Sequence, residues 1–153
     1  MWSVYATRLR FGSLLWVPPK AWSVIGIKRE PMVIALDAAV SGDCFGVLAV
    51  TRRDEREGSS IKPIIEVRYA RKWKPPKNGK LDYDQEIEPE IIRLISENNV
   101  VGVFYDPYQL HQFCTRLSRE RRANFREFNQ GQDRLIGDKQ LYDLLRERRI
   151  EYA

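Results

Sequence analysis

Met32-Val33-Ile34-Ala35-Leu36-Asp37-Ala38-Ala39-Val40-Ser41-Gly42-Asp43-Cys44-Phe45-Gly46-Val47-Leu48-Ala49-Val50 reads as two strands joined by a tight turn. Short apolar runs, too brief for a helix, flank the turn signal Ser41-Gly42-Asp43. One carboxylate, Asp37, stands near the end of the first run. An apolar strand that stops on an aspartate carries a charge to the rim of a sheet, where a rigid backbone can aim it at a ligand or metal. Aspartate also opens turns through its own backbone hydrogen bonds, and this stretch alone fits either role.

The 153 residues are enough for one domain that buries roughly two-thirds of its unfolded surface, so a two-domain chain is disfavoured. Lys and Arg number 26 against 21 Asp and Glu, and the net charge of +5 leans toward a polyanionic partner. Cys44 and Cys114 lie far apart and His111 is the only histidine, which argues against a disulfide framework and a Cys/His zinc site. A reducing, cytoplasmic setting fits this usage. Arg8 and Arg10 interrupt any apolar N-terminal core, and no apolar run approaches membrane-spanning length, so secretion and membrane insertion are disfavoured. The Gly-x-x-x-x-Gly-Lys-Ser/Thr phosphate loop is missing from the sequence.

Residues 1–30 show no sustained period and read as a lead-in segment or linker, whose Trp2, Trp16 and Trp22 call for burial on the domain or on a partner. After the opening hairpin, residues 52–60 are charged and then Gly/Ser-rich, which predicts a solvated loop. Residues 61–73 alternate as a third strand, predicted to turn Ile65, Val67, Tyr69 and Arg71 one way and Glu66, Arg68 and Ala70 the other. Pro75-Pro76 and Asn78-Gly79 then impose a loop.

From about Asp84 the period becomes helical, with Ile87, Ile91, Leu94 and Ile95 on one face and an end at Asn98-Asn99. Val100 to Tyr105 is a continuous apolar strand that stops on a second carboxylate, Asp106. Asp106-Pro107 opens a further helix, with Leu110, Phe113, Cys114 and Leu117 as its inner face; aspartate and proline are favoured helix starters, which gives Asp106 an ordinary reading too. Residues 123–128 predict a fifth strand, and residues 135–149 a helix with Leu141, Leu144 and Leu145. The order β-β-β-α-β-α-β-α predicts an α/β fold: a mixed five-stranded sheet, antiparallel over its first three strands and then parallel, flanked by helices.

In this order Asp37 and Asp106 end parallel neighbours and share one sheet edge. Two adjacent carboxylates repel unless a cation or proton lies between them, and hard oxygen ligands at a strand end suit Mg²⁺ or Mn²⁺. Metal-assisted phosphodiester hydrolysis is the chemistry such a pair serves.

The order resembles the RNase H-like nuclease fold. Several short motifs narrow the match: Ile34-Ala35-Leu36-Asp37-Ala38-Ala39, then Gly42-Asp43-Cys44-Phe45, Tyr105-Asp106-Pro107-Tyr108-Gln109, Phe128-Asn129-Gln130, and residues 138–145. Together they resemble the C-terminal nuclease domain of phage terminase large subunits, here over residues 31–153. Leu15-Trp16-Val17-Pro18-Pro19-Lys20-Ala21-Trp22 is similar to the segment that enters that domain from the packaging ATPase.

The resemblance implies a metal-dependent DNA endonuclease. Asp37 would bridge two Mg²⁺ or Mn²⁺ ions, Asp106 would complete one shell, and Asp43 would be an auxiliary acid. A third metal-binding aspartate is expected on a later helix, beyond Ala153, which would leave the nuclease domain incomplete at its C-terminus. The implied partners are double-stranded DNA and the terminase ATPase domain, small subunit or portal, in the cytoplasm of a host cell and without a membrane. Arg52, Arg53, Lys72, Lys74, Lys77, Arg119, Arg121 and Arg122 are the candidate backbone-phosphate contacts. Two other readings stand beside this one: a catalytically incomplete nuclease-like module that binds DNA or a packaging partner, and a transposase or resolvase of the same fold.

Overall fold

The computed structural model describes residues 30–38, 44–77, 79–120, 122–129 and 131–152. The lead-in segment, apart from Glu30, and the candidates Asp43 and Arg121 therefore lie outside the described residues. The strands are β1 (Met32–Ala38), β2 (Phe45–Glu57), β3 (Ser60–Trp73), β4 (Val100–Tyr105), β5 (Phe125–Glu127) and β6 (Ile150–Tyr152). The helices are α1 (Glu88–Glu97), α2 (Pro107–Arg119) and α3 (Gln132–Arg146), and a π-helical turn over Tyr83–Ile87 leads into α1.

One sheet takes the order β5-β4-β1-β2-β3-β6. β2 is antiparallel to β1 and to β3, while β4 is parallel to β1, β5 to β4 and β6 to β3. The mixed α/β architecture is the one predicted, with a sixth strand added at the edge.

β1 lies at the centre because both of its faces are apolar. Met32, Ile34 and Leu36 are buried in the main core, and Val33 and Ala35 are half-buried on the other side. The same core takes Phe45, Val47 and Ala49 from β2, Tyr69 and Trp73 from β3, Val103 and Tyr105 from β4, and the inner stripes of α1 and α2. Those stripes follow the helical period of the sequence: Ile87, Ile91 and Leu94 beneath α1, and Leu110, Phe113, Cys114 and Leu117 beneath α2. Truncating a side chain as enclosed as Leu36 to alanine costs about 2–5 kcal/mol through lost burial and the cavity left behind. α3 contributes nothing to this core. Its connection from β5 to β6 returns from one edge of the sheet to the other.

Three predictions need correction. Residues 52–60 are not a solvated loop: β2 and β3 run on as a long hairpin that closes at Gly58-Ser59, where Gly58 takes φ of +60°. Charged side chains replace apolar alternation there, held by Lys62 to Glu57 at 2.9 Å and by Arg53 to Glu66 at 2.7 Å.

Tyr69 and Val67 do not share a face. Tyr69 pairs with Ala49 and Val67 with the next residue, Val50, so Arg68 is an extra residue in a bulge that flips the alternation. The chain after α3 is the sixth strand, pairing Ile65 with Ile150 and Val67 with Tyr152.

Candidate metal centre

The predicted neighbours are adjacent. In the parallel pair of β1 and β4, Ile34 faces Val103 and Leu36 faces Tyr105. One step further along both chains stand Asp37, within β1, and Asp106, the residue that leaves β4. The acids occupy the carboxyl ends of two parallel strands, the end at which ligands of open α/β sheets bind.

Asp106 also caps α2. Its Oδ1 accepts the backbone N–H of Tyr108 at 2.9 Å, with Pro107 following in the first turn. The ordinary reading of Asp106 therefore holds.

Strand register extends the rim into a row. Asp37 pairs with Gly46 of β2, and Gly46 pairs with Lys72 of β3. Directly opposed residues project on the same face of a sheet, so Asp37 and Lys72 point to one side with no side chain between them. That side is away from the main core. Leu36, Val47 and Arg71 make the neighbouring row on the core side, where the Arg71 guanidinium sits 4.5 Å from the centre of the Trp73 ring and 3.9 Å from Glu90 of α1.

An aromatic cluster braces the rim from below. Phe45 meets Trp73 edge-on at 6.1 Å and Tyr83 at 5.2 Å, and Tyr83 meets Phe113 at 5.7 Å. These contacts tie the start of β2, the end of β3, the turn before α1, and α2 into one rigid support.

The candidate phosphate contacts divide between the two ends of the sheet. Lys72, Lys74 and Lys77 are exposed at the rim that carries Asp37 and Asp106, and none forms an ion pair with a described residue. Arg52 and Arg53 lie far along β2, about 20 Å from Gly46 at roughly 3.3 Å per residue. They are held by carboxylates: Arg52 by Asp54 at 2.8 Å, and Arg53 by Glu66 and Glu151, each at 2.7 Å. Arg119 ends α2, which runs away from the rim, and Arg122 lies 3.6 Å from Glu120.

Burial pushes the Cys114 thiol up to about 12 and raises the Tyr105 phenol, with Cys114 and Glu127 adding to the latter. His111 is exposed on α2, with Nδ1 2.8 Å from Glu127 Oε1.

The donor set fits a hard divalent cation in kind, since carboxylate oxygens at the rim are the ligands Mg²⁺ and Mn²⁺ take. In number it is small: among the described residues no group of three or more His, Cys, Asp or Glu side chains gathers as a metal cluster. Gly46 is the feature sequence reading passed over. An isolated glycine inside an apolar strand is the signal that marks it.

Neither a protein-family model nor a curated protein matches this sequence. Solved structures do. The crystal structure of the HK97 bacteriophage large terminase aligns with 89% of this chain at a TM-score of 0.63 and 15% identity, using 33% of its own length. A large terminase from a thermophilic bacteriophage aligns with 80% of this chain at a TM-score of 0.54 and 14% identity, using 28% of its own. The chain thus spans about a third of these proteins, and the likeness is one of fold: the RNase H-like α/β arrangement predicted from the element order.

Proposed function

We propose that residues 31–153 form the metal-dependent DNA endonuclease domain of a phage DNA-packaging terminase, with Asp37 and Asp106 as its metal ligands. The observation that carries this reading is the pairing of β1 with β4, parallel neighbours whose last pair, Leu36 and Tyr105, is followed on each chain by an aspartate. The fold shared with two phage large terminases supports it.

The chain's own residues supply anchoring and charge. Asp37 is fixed within a central strand and Asp106 by its cap on α2, so both carboxylates are held without a flexible arm. Lys72, Lys74 and Lys77 add positive charge at the same rim, where a DNA backbone passing the acids would meet it. Bound Mg²⁺ or Mn²⁺ would supply an activated water and stabilise the leaving oxygen. The partners proposed with this role are double-stranded DNA, the terminase ATPase domain, and the small subunit or portal, met in the host cytoplasm. Among the described residues no helix is long and apolar enough to cross a membrane.

Cleavage of supercoiled plasmid in Mn²⁺ tests the reading. With only two ligand acids among the described residues, weak cutting by the unmodified protein and its loss in both Asp37→Asn and Asp106→Asn are expected, because each change removes an anionic ligand and nearly keeps the shape. Equal cutting by the Asp37→Asn protein would remove Asp37 from the site.

A second reading is favoured by the small donor set: a nuclease-like module that binds DNA or a packaging partner without cutting. Salt-sensitive duplex binding with no cutting under any divalent ion would select it.

A further inference from the structure

We infer that Gly46 and Lys72 form a phosphate lane beside Asp37. A backbone phosphate of the DNA substrate lies over the bare Gly46 position, with the metal-ligand acids on one side and the Lys72 ammonium on the other. This rests on the nuclease reading and adds to it two residues that position the substrate.

The first support is register. Asp37, Gly46 and Lys72 occupy one row on three adjacent strands, on the same face. Strands stand about 4.8 Å apart, so the acid and the lysine backbones are about 10 Å from one another across the glycine. The four-carbon stem of a lysine crosses one strand spacing and brings its ammonium over the gap.

The second is that the fold makes no visible demand for glycine at position 46. Gly46 is not among the described glycines with positive φ, and among the described residues a Cβ built there would meet only the Asp37 carbonyl oxygen, at an ordinary 3.9 Å. Glycine inside a strand costs stability and offers nothing to pack. The space it leaves lies in the row between the acid and the lysine, where a close backbone or ligand approach is the established use of a strand glycine.

The third is the state of the lysine. Arg53, Lys62, Arg68, Arg93, Arg116 and Arg149 are each engaged by carboxylates of the fold, whereas Lys72 is exposed and pairs with no described residue. Its neighbour Trp73 is buried in the aromatic cluster, which fixes the strand from which Lys72 projects.

The test compares the unmodified protein with Lys72→Gln, Lys72→Arg, Gly46→Val and Asp37→Asn. Each is measured for Mn²⁺-dependent melting, for binding of a short DNA duplex across a salt series, and for cutting of that duplex. Lys72→Gln is expected to weaken duplex binding several-fold and to lower the slope of log K against log salt by about 0.9, one phosphate's worth. Any loss of cutting should fall mainly on KM, and Lys72→Arg should restore most of it.

Gly46→Val is expected to melt no lower than the unmodified protein and to keep the Mn²⁺ response, yet to lose about tenfold or more in duplex binding or cutting because its side chain fills the lane. Lys72→Gln and Gly46→Val proteins that bind and cut like the parent would overturn the inference while leaving the nuclease reading in place, provided Asp37→Asn abolishes the Mn²⁺ response. An unmodified protein that neither binds nor cuts the duplex would overturn both. A Gly46→Val protein that melts far lower would assign the glycine to packing and overturn the lane.

Discussion

Asp37 and Asp106 each follow the last pair of one parallel ladder: Leu36 faces Tyr105, and the next residue on each chain is an aspartate. Two carboxylates at the ends of neighbouring strands can share a divalent cation only in the folded state, so the cation stabilises the fold by binding it alone. Millimolar Mn²⁺ should therefore raise the melting temperature. At a metal concentration a hundred times Kd the gain is about 2.7 kcal/mol. Asp37→Asn should erase the shift, and an undiminished shift in that variant would place the ion elsewhere.

Asp106 has two duties that substitution can separate. Asparagine retains an oxygen that accepts the Tyr108 N–H, whereas alanine removes both the cap and the charge. Asp106→Ala should cost about 1 kcal/mol of stability, which for a chain of this length lowers the melting temperature by about 2–4 °C. Asp106→Asn should melt near the parent yet lose the Mn²⁺ response as fully as Asp106→Ala does. Melting curves of the two variants with and without Mn²⁺ decide this, and a metal response retained by Asp106→Asn would confine Asp106 to its cap.

Much of this arrangement was readable from residues because β1 and β4 announce themselves twice, by apolar runs and by the aspartates that stop them. Asp106-Pro107 marked the start of α2, and Leu110, Phe113, Cys114 and Leu117 marked its inner face. The long hairpin was not readable by the same signal. Beyond Thr51 its strands are held by ion pairs across the ladder, and charge-rich sequence looks like a loop when apolar alternation is the guide. The Gly58-Ser59 turn between Glu57 and Ser60 was the usable clue.

The bulge at Arg68 carries no sequence mark, since it shows only in the pairing of β3 with β2. β6 is three residues long, too short for a period of its own. At the rim the acids were readable as a pair, while the row through Gly46 to Lys72 needed the register of three strands.

Glu90 links α1 to β3, and its charge sets an acid limit on stability. Arg93 donates to both of its oxygens at 3.0 and 2.8 Å, the Tyr69 hydroxyl donates at 2.6 Å, and these bonds hold the carboxyl below its ordinary value of 4.5. A carboxyl lowered on folding adds stability that is complete above 4.5 and is lost as pH falls through the folded value. Urea unfolding should show stability dropping below about pH 4.5. Glu90→Gln should be less stable than the parent by about 1–3 kcal/mol at pH 7, because charged hydrogen bonds become neutral ones. The gap should narrow in acid, and a constant gap from pH 7 down to pH 3 would assign the loss to packing.

Cations of the two sheet ends should separate into those that hold the fold and those that hold DNA. Arg53 donates from Nε to Glu66 and from a terminal nitrogen to Glu151, so it clamps β2 to β3 and to the edge strand β6. Both bonds are solvent-screened, so Arg53→Gln should melt close to the parent. It should leave the salt dependence of duplex binding unchanged, since the guanidinium is already engaged and lies far from the acids.

Lys74 and Lys77, in the loop that follows β3 at the rim, pair with no carboxylate among the described residues. The double variant Lys74→Gln/Lys77→Gln should melt like the parent and lower the slope of log K against log salt by up to about 1.8, two phosphates' worth. Duplex binding over a salt series, run beside melting curves for both variants, tests the division. If Arg53→Gln weakens binding as much as the double lysine variant does, the DNA path extends along the hairpin and is not confined to the rim.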